Sequence, residues 1–269
     1  MRKFQTNRGP KKRESGTEWE SSARQYHEYI ESPNTLQKTV VYPGVKQLLE
    51  PKAGEVYVDI ACGEGAFAEY LAKAEKKAKV VGFDVSTTFI QMAQHRNVSG
   101  TEFLRADAGS ASRMLNGRMF DGAVCVLAVQ NMSQPEQTFM ETAKFLKPGA
   151  KFVIVLNHPA FRIPRQTMWE YDEKKRLQYR RIERYLSPMD IPILMRPGSD
   201  RNVKTVSHHH PISFYVNELA RAGFLVDAME EWTSDRQSVP GGRARAENRS
   251  RSEIPLFLAI RARRLDTRR

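Results

Sequence analysis

Val58-Asp59-Ile60-Ala61-Cys62-Gly63-Glu64-Gly65-Ala66-Phe67 is an apolar run that ends in a turn with two glycines and then enters a helical pattern. Val56 to Cys62 reads as a buried strand, because four to eight apolar residues bounded by turn signals suit that role. The glycines let the backbone turn tightly and approach a bound molecule closely. Asp84 ends the next apolar run, 19 residues after Gly65. A carboxylate there can accept both hydroxyls of a ribose.

The pattern continues on both sides of this turn. Ala66 to Ala74 reads as a helix, Lys79 to Val85 as a strand, and Ser86 as the N-cap of a helix reaching about Arg96. Thr101 to Asp107, Phe120 to Val129 and Lys151 to Asn157 read as strands. Pro135 to Leu146 reads as a helix closed by Lys147-Pro148-Gly149. Strands alternating with helices of this length predict an α/β fold, a doubly wound and mostly parallel sheet covered on both faces. Ile212 to Ala222 reads as a helix ended by Gly223. Phe224 to Trp232 and Ile254 to Arg261 read as strands joined by a long polar loop, an antiparallel pair at the sheet edge.

The glycine loop alone leaves the ligand open, since Gly63-x-Gly65-x-x-Ala68 also satisfies a dinucleotide pattern. Asp59 separates the readings. A carboxylate four residues before the first glycine would repel a pyrophosphate and suits a ligand with a cationic end. S-adenosylmethionine carries an ammonium and a sulfonium and has no phosphate. Arg105-Ala106-Asp107-Ala108 adds a third acidic strand end.

With these strings in order, the chain resembles the class I S-adenosylmethionine-dependent methyltransferases of the type 11 group. The matching stretches are VDIACGEG at 58–65, GFDVS at 82–86, RADA at 105–108, FDGAVCVLAVQNM at 120–132 and FLKPGAKFVIVLNHP at 145–159. The resemblance implies a Rossmann-like sheet of seven strands with the last one antiparallel. It also implies that Asp59, Ala61 and the Gly63–Gly65 backbone hold the methionine part of S-adenosylmethionine. Asp84 and Val85 would bind the ribose side, Asp107 and Ala108 the adenine, and Leu127 would lie near the cofactor. Tyr26 and Tyr42 would close the site from the N-terminal helices.

The expected domains are a basic disordered tail at 1–17, a helical cap at 18–50, a methyltransferase domain at 51–264 with a lid insertion at 159–210, and a basic tail at 265–269. The 18–50 cap reads as two helices broken near Ser32-Pro33-Asn34. Net charge is +12, and residues 1–16 carry six basic and one acidic residue, so much of the excess is terminal. Such tails can dock on RNA through phosphate contacts or can merely aid solubility. Two cysteines, no membrane-length apolar run and no apolar leader predict a soluble, cytoplasmic protein.

Methyl transfer from an activated sulfonium can rest on proximity alone, and a base is needed only if the acceptor must first lose a proton. His158, directly after the fifth strand, is the expected base, with Asn157 orienting cofactor or substrate. Asn131, Tyr171, His208 and His210 are the expected substrate contacts. His208-His209-His210 lacks companion ligands at metal spacing, so no metal is expected. Within the lid, Thr167-x-x-Glu170 matches a capping box opening a short helix. Residues 177–186 fit helix or strand, and a hairpin would pair about 180–186 with about 203–209. Trp169, Tyr171, Tyr179 and Tyr185 either line an aromatic pocket or anchor the lid. The 11 basic against 6 acidic residues of 159–207 would suit an anionic acceptor.

The leading expectation is methyl transfer to a small-molecule acceptor, on oxygen, nitrogen or carbon, under the lid. The alternative is an RNA or ribosome methyltransferase docking through the basic tails. A nicotinamide-dependent oxidoreductase and a non-catalytic binding fold are two further readings.

Overall fold

The computed structural model describes residues 19, 20, 27, 30, 32–194 and 204–266. The tail at 1–17, Tyr26, most of the first helix expected within 18–50 and residues 267–269 lie outside the described residues. A π-helical turn, Gln37–Val41, runs into α1 (Tyr42–Leu49). Then follow β1 (Val56–Ile60), α2 (Ala66–Ala74), β2 (Lys79–Asp84), α3 (Thr87–His95), β3 (Thr101–Arg105), β4 (Phe120–Val126), α4 (Pro135–Phe145) and β5 (Leu146–Asn157). Two hairpins come next, β6 (Thr167–Asp172) with β7 (Leu177–Ile182) and β8 (Met189–Leu194) with β9 (Lys204–His209). The chain closes with α5 (Ile212–Arg221), β10 (Phe224–Trp232), α6 (Ala244–Glu253) and β11 (Phe257–Arg264).

Seven strands form one sheet in the order β10-β11-β5-β4-β1-β2-β3. The pairs from β5 through β4, β1 and β2 to β3 are parallel. β11 is antiparallel to both of its neighbours, β10 and β5. Strands buried on both faces need near-continuous apolar runs, and Phe152 to Leu156 supplies one. Alternate residues point to opposite faces. Phe152, Ile154 and Leu156 pack with Phe139 of α4 and Tyr215 and Leu219 of α5. Val153 and Val155 face Val45 of α1, Leu71 of α2 and Ala93 of α3.

β1 is paired with β2 on one side and β4 on the other, so the connections leave it in opposite directions. That reversal opens a crevice beyond the C-terminal ends of the parallel strands. Ser86 caps α3 as its sequence predicts, accepting the Phe89 N–H at 3.2 Å.

Four local expectations are corrected. Thr167–Glu170 belongs to strand β6, because the chain pairs across the hairpin with β7 and Arg180 donates to Thr167 Oγ1 at 2.7 Å. Residues 177–182 are therefore strand and pair with 167–172. The partner of β9 is β8, 189–194, and not 180–186. The loop expected between the last two strands contains α6, and β11 begins at Phe257 rather than Ile254. This helix lacks an apolar stripe. It is held by polar contacts, among them Ser250 Oγ donating to the Gln178 carbonyl at 2.8 Å.

Leu258 is fully buried in β11 and packs into the core beneath α4 and α5. Leu258→Ala is expected to lower unfolding free energy by about 2–5 kcal/mol, the usual range for a leucine cavity. Urea denaturation of both proteins measures it.

Candidate active site

The crevice is a cavity of about 430 Å³. Its floor is built from the ends of four parallel strands. Asp59 lies near the end of β1, and Ala61, Cys62 and Gly63 follow the strand; Asp84 closes β2 and Val85 follows it. Ala106 to Gly109 follow β3, and Val126 closes β4 with Leu127 and Ala128 after it. The turn after β1 puts Ala61 and Gly63 at φ 54° and Gly65 at φ 78°. Leu127 is also left-handed, at φ 54°, an uncommon state for a branched side chain and one that clusters at functional sites. Its N–H donates to the Val155 carbonyl at 2.7 Å, and its carbonyl accepts from Gln130 Nε2 at 2.8 Å.

Asp59 is 2% exposed and its Oδ2 has no hydrogen-bond partner among the described residues. Burial, with the neighbouring Asp84 carboxyl adding repulsion, pushes its pKa up to about 8. Asp84 accepts from the Gly63 N–H at 3.0 Å and the Ser86 N–H at 2.9 Å. Burial raises its pKa and these backbone donors oppose the rise. Glu20 reaches the same corner and caps α3, accepting from Thr88 N at 2.9 Å, Thr88 Oγ1 at 2.6 Å and Ser86 Oγ at 2.7 Å. Burial raises the Glu20 pKa, but the Thr88 and Ser86 hydrogen bonds outweigh it and hold the group below its ordinary value.

Glu64, between the two glycines, is 1% exposed. Its Oε2 lies 2.5 Å from His27 Nδ1 and 3.1 Å from an Arg96 nitrogen, while Oε1 has no hydrogen-bond partner among the described residues. Asp107 sits at the exposed rim, its Oδ1 accepting from the Gly109 N–H at 2.7 Å.

Of the residues expected from sequence, Asp59, Ala61, Gly63, Asp84, Val85, Asp107, Ala108, Leu127, Asn131 and His208 line the cavity, as does Tyr42. Gly65 lies behind it, at the N-cap of α2 under Phe103, where a Cβ would meet the ring at 2.6 Å. Asn157, His158 and His210 surround a separate water-sized space that shares only His208 with the cavity. His158 is buried, its Nε2 lies 2.7 Å from Glu231 Oε1, and its Nδ1 faces the Ala160 and Phe161 N–H groups at 3.1 and 3.3 Å. Both ring nitrogens are thus engaged within the protein. A base role for His158 does not fit this placement, and Asn157 is separated from the cavity with it.

His210 stacks on Phe214 at 3.9 Å between ring centroids. Tyr171 lies beneath Arg243, 4.5 Å from ring centroid to guanidinium carbon, and Trp169 beneath Arg180. The Tyr185 hydroxyl accepts from the Ile212 N–H at 3.0 Å. The lid aromatics are anchors rather than a pocket lining. Among the described lid residues, only Val206 and His208 of β9 reach the cavity. No three His, Cys, Asp or Glu side chains among the described residues are grouped to hold a metal ion.

Sequence reasoning passed over several lining residues. Glu64 was visible only as the spacer between two glycines. Trp19, Ile30, Gln37, Gln137, Thr138 and Val206 come from other elements and carry no local signal. The lining contains four carboxylates (Asp59, Glu64, Asp84 and Asp107) and, among the described residues, no lysine or arginine. Among the described residues, then, no arginine of the insertion reaches the cavity to meet an anionic acceptor. Arg181 of the insertion pairs with Glu170 and Glu183, and Arg180 donates to the Phe161 carbonyl.

The Asp59 carboxyl titrates near 3.8 when unperturbed and near 8 in the fold, so the folded state holds a proton that the unfolded state loses between those values. Its contribution to stability is therefore lost as pH rises from about 4 to 8. Asp59→Asn removes that dependence. Without ligand, the variant's melting temperature should exceed the parent's by a margin that widens from pH 4 to 8, read by thermal unfolding across that series.

Comparison with known proteins agrees with this geometry. A family model described as a methyltransferase domain matches residues 58–154. A fatty-acid O-methyltransferase of Mycolicibacterium smegmatis is 28% identical over 118 residues, 44% of this chain and 41% of that protein. A demethylmenaquinone methyltransferase of Corynebacterium kroppenstedtii is 30% identical over 128 residues, 44% of this chain and 52% of the relative. The chain thus spans about half, or less, of the length of these curated relatives. The crystal structure of an S-adenosylmethionine-dependent methyltransferase from Mesorhizobium loti superposes with a TM-score of 0.66 at 25% identity, covering 86% of this chain and 99% of that one.

Proposed function

Since the chain carries a class I S-adenosylmethionine-dependent methyltransferase domain, we propose that it methylates a small molecule enclosed in the 430 Å³ cavity. The observation that carries this reading is the buried Asp59 carboxyl, whose Oδ2 has no partner among the described residues and whose neighbour is a second carboxyl. A ligand with a cationic end satisfies it, whereas a pyrophosphate would be repelled, which disfavours the nicotinamide reading. The volume lies within the usual range for small-molecule sites, about 300–1,000 Å³.

S-adenosylmethionine supplies a methyl group on a cationic sulfur, activated for in-line displacement. Asp59 and the Gly63 backbone are the groups for its amino-acid end. Asp84, already fixed by two backbone N–H donors, keeps lone pairs for ribose hydroxyls. Asp107 and Ala108 are the groups for the base. Val206 and His208 add the insertion's part of the wall, and this chain's contribution to rate is then largely proximity and orientation.

Among the described residues the lining offers four carboxylates and no lysine or arginine, which favours an acceptor that enters without a negative charge. The relatives' names, a fatty-acid and a demethylmenaquinone methyltransferase, support a small acceptor in general and give the RNA alternative less support.

Because Asp59 holds a proton up to about pH 8, a bound cation should expel it. Affinity for S-adenosylmethionine is expected to rise with pH up to about 8. Calorimetry near pH 7 in buffers of different ionisation enthalpy should show net proton release. Asp59→Asn should abolish that release. Asp59→Asn and Asp84→Asn should each weaken binding roughly tenfold to a hundredfold, the scale of a hydrogen bond to a charged group, about 1.5–3 kcal/mol. Near-parent affinity in both variants would overturn the assignment.

A further inference from the structure

β8 and β9 pair so that Asp190 stands directly opposite His208. Neighbours across a sheet interact side by side, and here Asp190 Oδ1 lies 2.7 Å from His208 Nδ1. Along β9, side chains alternate. Thr205, Ser207 and His209 are buried on one face, while Val206 and His208 face the cavity. With Nδ1 held by a carboxylate, the neutral imidazole keeps its proton there and presents Nε2 as an acceptor. Nε2 of His208 has no partner among the described residues. The cavity wall thus carries a base of fixed tautomer at its edge. The other two histidines of the run are committed elsewhere, His209 to the Tyr185 carbonyl and His210 to Phe214.

A methyltransferase has no need of such a base for every acceptor. A carboxylate is already nucleophilic, and an amine attacks through its neutral lone pair. A neutral hydroxyl is the acceptor that gains most from proton removal. An imidazole can take the proton of a phenol or enol, whose pKa lies near about 10, far more readily than that of an aliphatic alcohol. Among the described residues the lining holds no lysine or arginine, which independently favours an acceptor that enters without a negative charge.

We propose that His208, oriented by Asp190, is the general base for O-methylation of a neutral phenolic or enolic hydroxyl. The inference rests on the methyl-transfer reading above. The hydroxyl proton passes to Nε2 as the oxygen lone pair forms the new C–O bond to the methyl carbon. The methyl–sulfur bond breaks with its electron pair remaining on sulfur, so the sulfonium becomes a neutral thioether. The imidazolium then returns its proton to water. His208 is the catalytic residue and Asp190 a positioning residue.

The test uses the full chain with 4-methoxyphenol, phenol and 4-nitrophenol as acceptors at saturation, with aniline and benzoate as matched amine and acid probes. Calorimetry with S-adenosylmethionine runs alongside. The expected result is methylation of the phenols on oxygen. His208→Gln should lose about 10²–10⁴-fold in kcat on 4-methoxyphenol, the range for a general base. That loss should shrink below about tenfold on 4-nitrophenol, which gives up its proton without help. Asp190→Asn should lower kcat with little change in KM, by less than His208→Gln, and recover in the same way. Cofactor affinity should stay within about twofold in both variants. An equal loss across all phenols would make the pair structural and overturn the proposal. So would preferential methylation of aniline or benzoate, or the absence of phenol methylation while the cofactor binds. Failure of cofactor binding in the parent protein would instead overturn the methyl-transfer reading itself.

Discussion

Two carboxyl groups stand at the ends of adjacent parallel strands, and the fold gives neither the option of moving away. Asp59 sits at the end of β1, whose neighbours on both sides run in the same direction, so Asp84 at the end of β2 opens into the same crevice. Their mutual repulsion adds to the penalty of burial. The surrounding turn relieves one of them. The Gly63 and Ser86 N–H groups point at Asp84 and leave the Asp59 Oδ2 without a donor. The sheet cores on both faces offset this local cost. The site is poised for positive charge before any ligand arrives.

The layout of this corner was legible in the sequence because parallel strands bring their C-terminal ends together. A reader who places Asp59, Asp84 and Asp107 at three strand ends has placed them around one crevice. The seven strands were legible for a related reason, since the central ones are apolar runs closed by a turn, while the edge strands Thr101–Arg105 and Phe224–Trp232 mix apolar and polar residues. Helix α6 was not, because Ala244–Glu253 carries no apolar stripe and is held by side-chain hydrogen bonds to Ser238 in the preceding loop and to Gln178 of β7. The short pattern Thr167-x-x-Glu170 reads as a helix start, yet long-range pairing with β7 overrides it.

The two histidines show where sequence adjacency fails as a guide. His158 follows β5 directly, which puts it near the crevice in chain order, but its ring turns back toward Glu231 and the loop that follows. His208 lies about fifty positions further on, and only the register of β8 with β9 brings it to the wall. Net charge is a limited guide for a similar reason. A count of arginines in the insertion says nothing about which way they face, and Arg180 and Arg181 are engaged by the Phe161 carbonyl, Thr167, Glu170 and Glu183.

The position of β11 bears on how the chain is made. Phe257 pairs with Asn157, a hundred positions earlier, and β11 fills the slot between β5 and β10. A nascent chain that has emerged from the ribosome as far as β10 holds β5 with one side unpaired and β10 with no strand to join it to the sheet. Exposed strand edges of that kind template association with other chains. Pairing across so long a span is also slow, since the intervening loop must be closed first. Translation of the stretch from Phe257 to Arg264 is therefore the step that pairs the free side of β5 and joins β10 to the sheet.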